Sequence, residues 1–230
     1  MDNRFKFEEE FDGSVISIEL ENLQVRDSVF YLFIKRAIDF IGALVGLILL
    51  SPIMVIVAIA IKLEDPNGNI IFGHMRVGKD GKMFPCLKFR SMFSNAEEMK
   101  KNFTEEQKRE YAETFKLKDD PRITKVGKFI RKTSLDELPQ LFNILKGDMT
   151  IVGPRPIVTE ELKYYGEYDK YYMAVKPGLT GLWQVSGRSD TSYDERVELD
   201  MEYIKTRTIL KDIYIMIMTV VKVLKREGSY

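Results

Sequence analysis

The longest apolar run, Phe40 to Ile61, holds 22 residues without a charge, FIGALVGLILLSPIMVIVAIAI. By length it is a candidate to cross a hydrocarbon core of ~30 Å. Ser51-Pro52 interrupts it. Pro52 has no N–H to give the Ile48 carbonyl, and its ring crowds the preceding turn. The Ser51 hydroxyl can hydrogen-bond a carbonyl one turn back. Basic residues flank both ends, Arg26, Lys35 and Arg36 before and Lys62, Arg76, Lys79 and Lys82 after, so no one-sided excess fixes an orientation. Two readings stay open on this pattern: a spanning helix kinked at proline, and a helix that breaks at Pro52 and returns to the face it entered. Phe40 to Ser51, as helix, would cover ~18 Å, about half the core. Asp39, one turn from Lys35 and Arg36, is expected to pair with them or to sit among headgroups.

Beyond the run the pattern shortens. MFPCLKF reads as a strand and KDG before it as a hairpin turn, with Lys88 and Arg90 on one strand face. Residues 94–115 are charged and helix-prone, starting at Ser94 or Asn95, with no chemistry assigned. Leu138, Leu141, Phe142 and Leu145 recur at helical spacing, with Pro139 near the start and Gly147 as the stop. MTIVGPRP runs strand-like into a rigid turn carrying Arg155, and VKPGLTGLWQVSGRSD is glycine-punctuated and carries Arg188. Two helices are expected from Ser192 onward, the second apolar enough to pack on the domain or lie along a membrane surface.

Lys+Arg and Asp+Glu are equal at 35 each, so bulk charge points to no nucleic-acid partner. The charge is segregated, however: residues 1–29 hold eight acids and three bases, and residues 121–156 hold seven bases and three acids. Such basic blocks suit an anionic ligand. The single cysteine, Cys86, excludes an intrachain disulfide and reads as a small buried residue. The single histidine, His74, has no Cys or His companion for a zinc site. The acidic start shows no signal-peptide pattern.

The candidate chemistry centres on Asp136 and Glu137. Alone, Ser134-Leu135-Asp136-Glu137 fits a capping box, S-x-x-E, which is the blander reading. Arg131 and Lys132 lie just upstream, and Lys88, Arg90, Arg155 and Arg188 sit in strand or glycine- and proline-fixed segments. Together they suit a diphosphate clamp, because guanidinium groups bind phosphate bidentately. A nearby helix N-terminus and Arg131 would favour the ionised form of Asp136. Neither a P-loop nor a dinucleotide fingerprint is present. A non-catalytic module binding anionic headgroups is the rival class; it would show scattered lysines instead of arginines in fixed turns.

RVGKDGKMFPCLKFRSM, SLDELPQLFNILKGDMTIVGPRP and KPGLTGLWQVSGR resemble, in order, the signature blocks of the bacterial sugar transferase family, the small monotopic phosphoglycosyl transferases. The resemblance runs from about Phe30 to Gly228. It implies an α+β domain with short strands among helices, held by a re-entrant hydrophobic helix hairpin hinged at Ser51 and Pro52. The implied division is an acidic extension (1–29), the membrane hairpin (30–62) and a cytosolic catalytic domain with amphipathic C-terminal helices (63–230). The extra N-terminal membrane helices of larger members are not expected. The implied reaction moves a sugar 1-phosphate from a UDP-sugar to undecaprenyl phosphate with Mg²⁺, giving polyprenyl-diphosphate-sugar and UMP, at the cytoplasmic face of a bacterial plasma membrane. It would start capsule, exopolysaccharide or glycan assembly. In it Asp136 is the nucleophile, Glu137 assists with metal or protons, Asp136 and Glu137 hold the metal, and Arg131, Arg155 and Arg188 contact phosphates or the nucleotide. Direct attack by the lipid phosphate is the alternative mechanism. Trp183 is a candidate to stack on the uracil or, with the better odds, a core aromatic.

Overall fold

The computed structural model describes residues 28–114, 117–186 and 192–225, together with two short antiparallel strands, β1 (Glu10–Phe11) and β2 (Ser14–Val15). Helix α1 (Val29–Glu64) takes in the whole apolar run and contains Pro52. Of the two readings the sequence left open, a helix kinked at Pro52 and one broken there, the helix runs on through Pro52. The Ile48 carbonyl that Pro52 leaves without its usual donor accepts a hydrogen bond from Ser51 Oγ at 2.8 Å.

Both halves of α1 dock on the same body. In the first half Lys35 Nζ donates to Asp212 at 2.7 Å and to the Val152 carbonyl at 2.9 Å. Arg36 donates to the Ile144 and Leu145 carbonyls, and buried Asp39 accepts from Thr150 Oγ1 and from the Ile151 N–H. Their hydrogen bonds thus go to the body, where the sequence had offered pairing among the three or a place among headgroups, although the Lys35 charge still acts on Asp39. Gly42 and Gly46 let the helix approach; a Cβ on Gly42 would stand 2.7 Å from Ile151. In the second half Val57 and Ile61 pack with Phe89 and Ile130, and Glu64 accepts from the Lys125 and Val126 N–H groups. The outer face, including Ile41, Ile48, Leu49, Ile56 and Leu63, stays exposed along the full length.

Strands β3 (Ile71–Val77) and β4 (Met83–Phe89) form the expected antiparallel hairpin around Lys79–Gly81. Asp80 and Gly81 there adopt left-handed backbone angles. The free edge of β4 is met by a side chain: Asn143 Oδ1 accepts from the Leu87 N–H and Asn143 Nδ2 donates to the Pro85 carbonyl. The charged segment forms α2 (Ala96–Met99) and α3 (Glu105–Thr114) in place of one helix. Of the two expected starts, Asn95 is the N-cap of α2, while Ser94 donates through N–H and Oγ to Asp65. Arg122 pairs with Asp120 and lies over the Phe103 and Tyr111 rings.

Helix α4 (Lys125–Lys132) is capped by Thr124 Oγ1. Helix α5 (Gln140–Lys146) stops, as expected, at Gly147 with φ 92°. Strand β5 (Thr150–Val152) pairs in parallel with β6 (Gly178–Thr180), with α6 (Asp169–Met173) in the connection. Then come α7 (Leu182–Ser186), α8 (Tyr193–Thr206), which opens on a Ser192–Glu195 capping box, and α9 (Ile209–Lys225). Val77, Val152, Tyr172, Met201, Tyr203 and Ile215 form the largest core cluster. Leu210, Tyr214, Ile217 and Val220 on α9 face outward.

Asp39→Leu should bury the Thr150 hydroxyl and Ile151 N–H without an acceptor, a loss of about 2–4 kcal/mol. Asp39→Asn keeps one acceptor and should lose less. Thermal unfolding in detergent should order the three proteins wild type, Asn, Leu; equal melting of the Leu variant and wild type would remove Asp39 from the docking.

Candidate active site

Asp136 and Glu137 lie in a single 3₁₀ turn, Leu135–Glu137, between α4 and α5. The capping box that Ser134 suggested does not form. Ser134 adopts left-handed angles (φ 56°), and its side chain makes no cap. This reversal turns the acidic pair from α4 toward β4. There Lys88 Nζ stands 2.6 Å from Glu137 Oε1 and 4.0 Å from Asp136 Oδ2.

Burial pushes the Asp136 carboxyl up to about 6; the Glu137 charge adds to the rise, and Lys88 and Arg131 oppose it. The expectation that a helix end and Arg131 would favour the ionised form is thus overturned in its net direction. Arg131 does stand beside Asp136 and lowers its carboxyl, and its Nε donates to Ser91 Oγ at 2.8 Å. α5 itself begins only at Gln140, with Pro139 at its N-cap.

Arg155 projects from the Gly153-Pro154-Arg155-Pro156 turn, whose carbonyl at Arg155 accepts from the Tyr172 hydroxyl. Its guanidinium is exposed, lies 5.1 Å from the centre of the Trp183 ring, and forms no ion pair among the described residues, although its charge acts on buried Asp200. Trp183 is itself 5% exposed and also carries Arg196 at 4.5 Å. It is the core aromatic of the two readings and braces two arginines. Beside them Asp200 is fully buried, and burial pushes it up to about 7 against a hydrogen bond from the Tyr165 hydroxyl.

Arg90 is placed elsewhere. Its Nη1 and Nη2 donate to the Asp65 carboxylate and carbonyl at 2.8 and 2.6 Å, closing the turn after α1. The shared face expected for Lys88 and Arg90 requires a strand through both, and β4 ends at Phe89. Arg188 lies outside the described residues. Lys88, Arg131 and Arg155 are the predicted cations that the structure brings to the acidic pair or its surroundings.

Sequence reasoning missed Ser91, His74 and Arg76. Arg76 pairs with Glu161 at 3.3 Å and contacts His74 Nδ1 at 3.1 Å. Alternation along β3 could have found His74 and Arg76, because the strand runs opposite Lys88. Buried Cys86 forms the floor between the charges: burial pushes its thiol up, and Lys88, Glu137, Arg76 and Arg155 all act on it. Among the described residues no three His, Cys, Asp or Glu side chains gather as a metal cage. The adjacent carboxylates of Asp136 and Glu137 are hard oxygen donors of the kind Mg²⁺ takes, one or two at a time with substrate phosphates.

A family model described as bacterial sugar transferase matches residues 30–226. The undecaprenyl-phosphate galactose phosphotransferase of Salmonella typhimurium is 49% identical over 224 residues, 96% of this chain and 46% of that protein. The UDP-glucose:undecaprenyl-phosphate glucose-1-phosphate transferase of Escherichia coli is 40% identical over 205 residues, 86% and 41% of the two chains. Exopolysaccharide production protein ExoY of Sinorhizobium fredii is 46% identical over 199 residues, 85% of this chain and 88% of that protein. The chain thus spans less than half of the first two relatives and most of the third.

A carboxyl raised by burial carries a stability sign. Asp136 is favoured protonated in the fold, so its contribution is full below about 4 and is lost as pH rises through about 6. At pH 8 Asp136→Asn should therefore stabilise the protein, by on the order of 1–3 kcal/mol. The gain should shrink between pH 8 and pH 5 in thermal melts. A destabilised Asn variant at pH 8 would show that the fold prefers the charged carboxylate.

Proposed function

The chain belongs to the bacterial sugar transferase family, and from that premise we propose that it transfers a sugar 1-phosphate from a UDP-sugar to undecaprenyl phosphate and releases UMP. The observation that carries the proposal is the buried Asp136 carboxylate, set with Glu137 on Lys88 and with Arg131 alongside. A carboxylate attacks phosphorus only where the charge of that centre is neutralised, and these cations supply the neutralisation.

In the first half-reaction an Asp136 oxygen bonds to the sugar-linked phosphorus. The bond from that phosphorus to the bridging oxygen breaks, and UMP leaves with the electron pair. In the second, an oxygen of the lipid phosphate bonds to the same phosphorus and the Asp136 carboxylate departs. Splitting the transfer keeps two bulky anions from meeting in one step. Lys88 orients the acidic pair, Arg131, fixed by Ser91, stands beside Asp136, and Arg155 grips phosphate oxygens from its rigid turn. Arg188 is assigned to the same phosphates. Glu137, with Asp136, would hold Mg²⁺ together with the diphosphate, which requires Lys88 to yield its contact. Bound there, the ion would supply further neutralisation of phosphate charge.

Docking of both halves of α1 on one body supports a monotopic placement. A spanning helix would carry its two ends to opposite sides of the bilayer, whereas Lys35 and Glu64 both bond the same domain. The exposed outer faces of α1 and α9 would lie in one leaflet. The cytoplasmic face is assigned because nucleotide sugars are cytosolic. The product would start exopolysaccharide or capsule assembly.

Wild-type protein given UDP-sugar without lipid should release up to one UMP per site and keep the phosphosugar on Asp136, located by peptide mapping. Asp136→Asn should neither release UMP nor take the label. UMP release that requires both substrates, with no trapped adduct, would put direct attack by the lipid phosphate in its place.

Arg155→Ala should lower kcat/KM about 100-fold, the scale of losing one preorganised donor to transition-state charge. Arg155→Lys should recover little of it, since an ammonium lacks the planar fork. Steady-state kinetics on protein with unchanged melting temperature checks this; near-wild-type rates in the Lys variant would reduce Arg155 to a point charge.

A further inference from the structure

The hairpin carries a row of donors that the mechanism above leaves unused. The register sets Phe72 opposite Lys88, His74 opposite Cys86 and Arg76 opposite Phe84. Directly opposed residues of an antiparallel pair project from the same face. Lys88, His74 and Arg76 therefore line one face, and the levels of Phe72 and Arg76 are ~13 Å apart at the rise of a strand. At one end Lys88 touches the acidic pair; at the other Arg76 is close enough to Arg155 for the two cations to repel.

The hydrogen bond between Arg76 and His74 fixes the imidazole. A guanidinium donates and does not accept, so Nδ1 of His74 is the acceptor and the ring proton sits on Nε2. Burial, with Arg76 and Lys88 nearby, holds His74 below its ordinary range, which agrees with a neutral ring. His74 is exposed, and its Nε2–H has no protein acceptor among the described residues. Arg76 has one carboxylate partner, Glu161, at 3.3 Å. That carboxylate is already engaged: it accepts from the Val158 N–H at 2.8 Å and from Tyr193. Lys88, Arg76 and Arg155 thus stand around Cys86, and beside them the His74 Nε2–H is left for a ligand that accepts.

We propose that Arg76 and His74 bind the phosphate of the departing nucleotide, so that the UDP-sugar lies from Asp136 past His74 and Arg76 toward Arg155. The proposal rests on the UDP-sugar reading above. The two ends of the row say which phosphate belongs where. The Arg76 end adjoins Glu161 and the exposed Arg155, a polar, charged setting suited to a nucleotide. The Lys88 end adjoins Leu135, Leu138 and Phe89, which pack against α1, the apolar helix along which a polyprenyl chain would arrive. As the phosphorus–oxygen bond to UMP breaks, charge grows on the UMP phosphate. Arg76 and the His74 Nε2–H meet that charge, and no proton moves.

The test compares nucleotide with lipid. UMP binding by calorimetry and UMP product inhibition are measured for His74→Phe, His74→Gln and Arg76→Lys, beside KM for the UDP-sugar and for polyprenyl phosphate. His74→Phe and Arg76→Lys should each weaken UMP about 10-fold, the worth of one charge-assisted or phosphate-directed hydrogen bond, and should leave KM for the lipid unchanged. His74→Gln, which retains a donor, should bind UMP nearly as wild type does. Should Arg76→Lys fail to fold, His74→Phe on its exposed position carries the same readout. Unchanged UMP affinity in His74→Phe, or a loss confined to polyprenyl phosphate, overturns the proposal. Wild-type protein that binds neither UMP nor UDP would sink the UDP-sugar reading itself.

Discussion

A helix that is apolar on its outside can belong to a charged domain only if polar groups fasten it there. Asp39 is the centre of that fastening. It is buried at the start of the uncharged run and accepts from Thr150 Oγ1 and the Ile151 N–H. In that one contact it ties α1 to β5, the strand that leads into the turn of Arg155. Lys35 adds Val152 and Asp212, which brings in α9, and Arg36 occupies the last carbonyls of α5. At the other end Glu64 caps α4, the helix that carries Arg131. Helix α1 is thus bonded to the segments that carry Arg131 and Arg155, and any tilt of α1 would be felt at both.

The acidic pair illustrates the opposite economy of charge. Nothing about a 3₁₀ turn demands a buried carboxylate, and burial raises Asp136 instead of stabilising its anion. The arrangement persists because Lys88 bridges the pair and Ser134 accepts a left-handed conformation that an L residue tolerates at some cost. A carboxylate buried this way costs the fold stability wherever pH ionises it, and the neighbouring cations offset only part of that cost.

Much of this was legible in the chain. Short strong signals carried over: the KDG turn, the MFPCLKF strand, the Gly147 stop, the Ser51 bond over Pro52, and the acidic pair with Arg131 and Lys88. What failed did so for tertiary reasons. Arg90 looks like a strand partner of Lys88 by parity, but Asp65, 25 residues earlier, claims its guanidinium once the strand has ended. Ser134 looks like a cap, but the chain must reverse there to turn the acids toward β4. The segment from Ser94 has helical composition throughout, yet Ser94 is held by Asp65 and the helix breaks around Phe103, which Arg122 covers. Each partner lies too far along the chain for a local pattern to reveal.

The net charge of zero conceals the point on which function turns. Many of the acids are committed to holding architecture: Asp39 to β5, Glu64 to α4, Asp65 to Arg90, Asp120 to Arg122, and Asp212 to Lys35. Each neutralises a cation or a backbone N–H far from the acidic pair. Arg155 forms no ion pair among the described residues, although buried Asp200 acts on it, and rests on the face of Trp183. A chain of zero net charge thereby keeps one guanidinium exposed on a buried aromatic instead of in an ion pair.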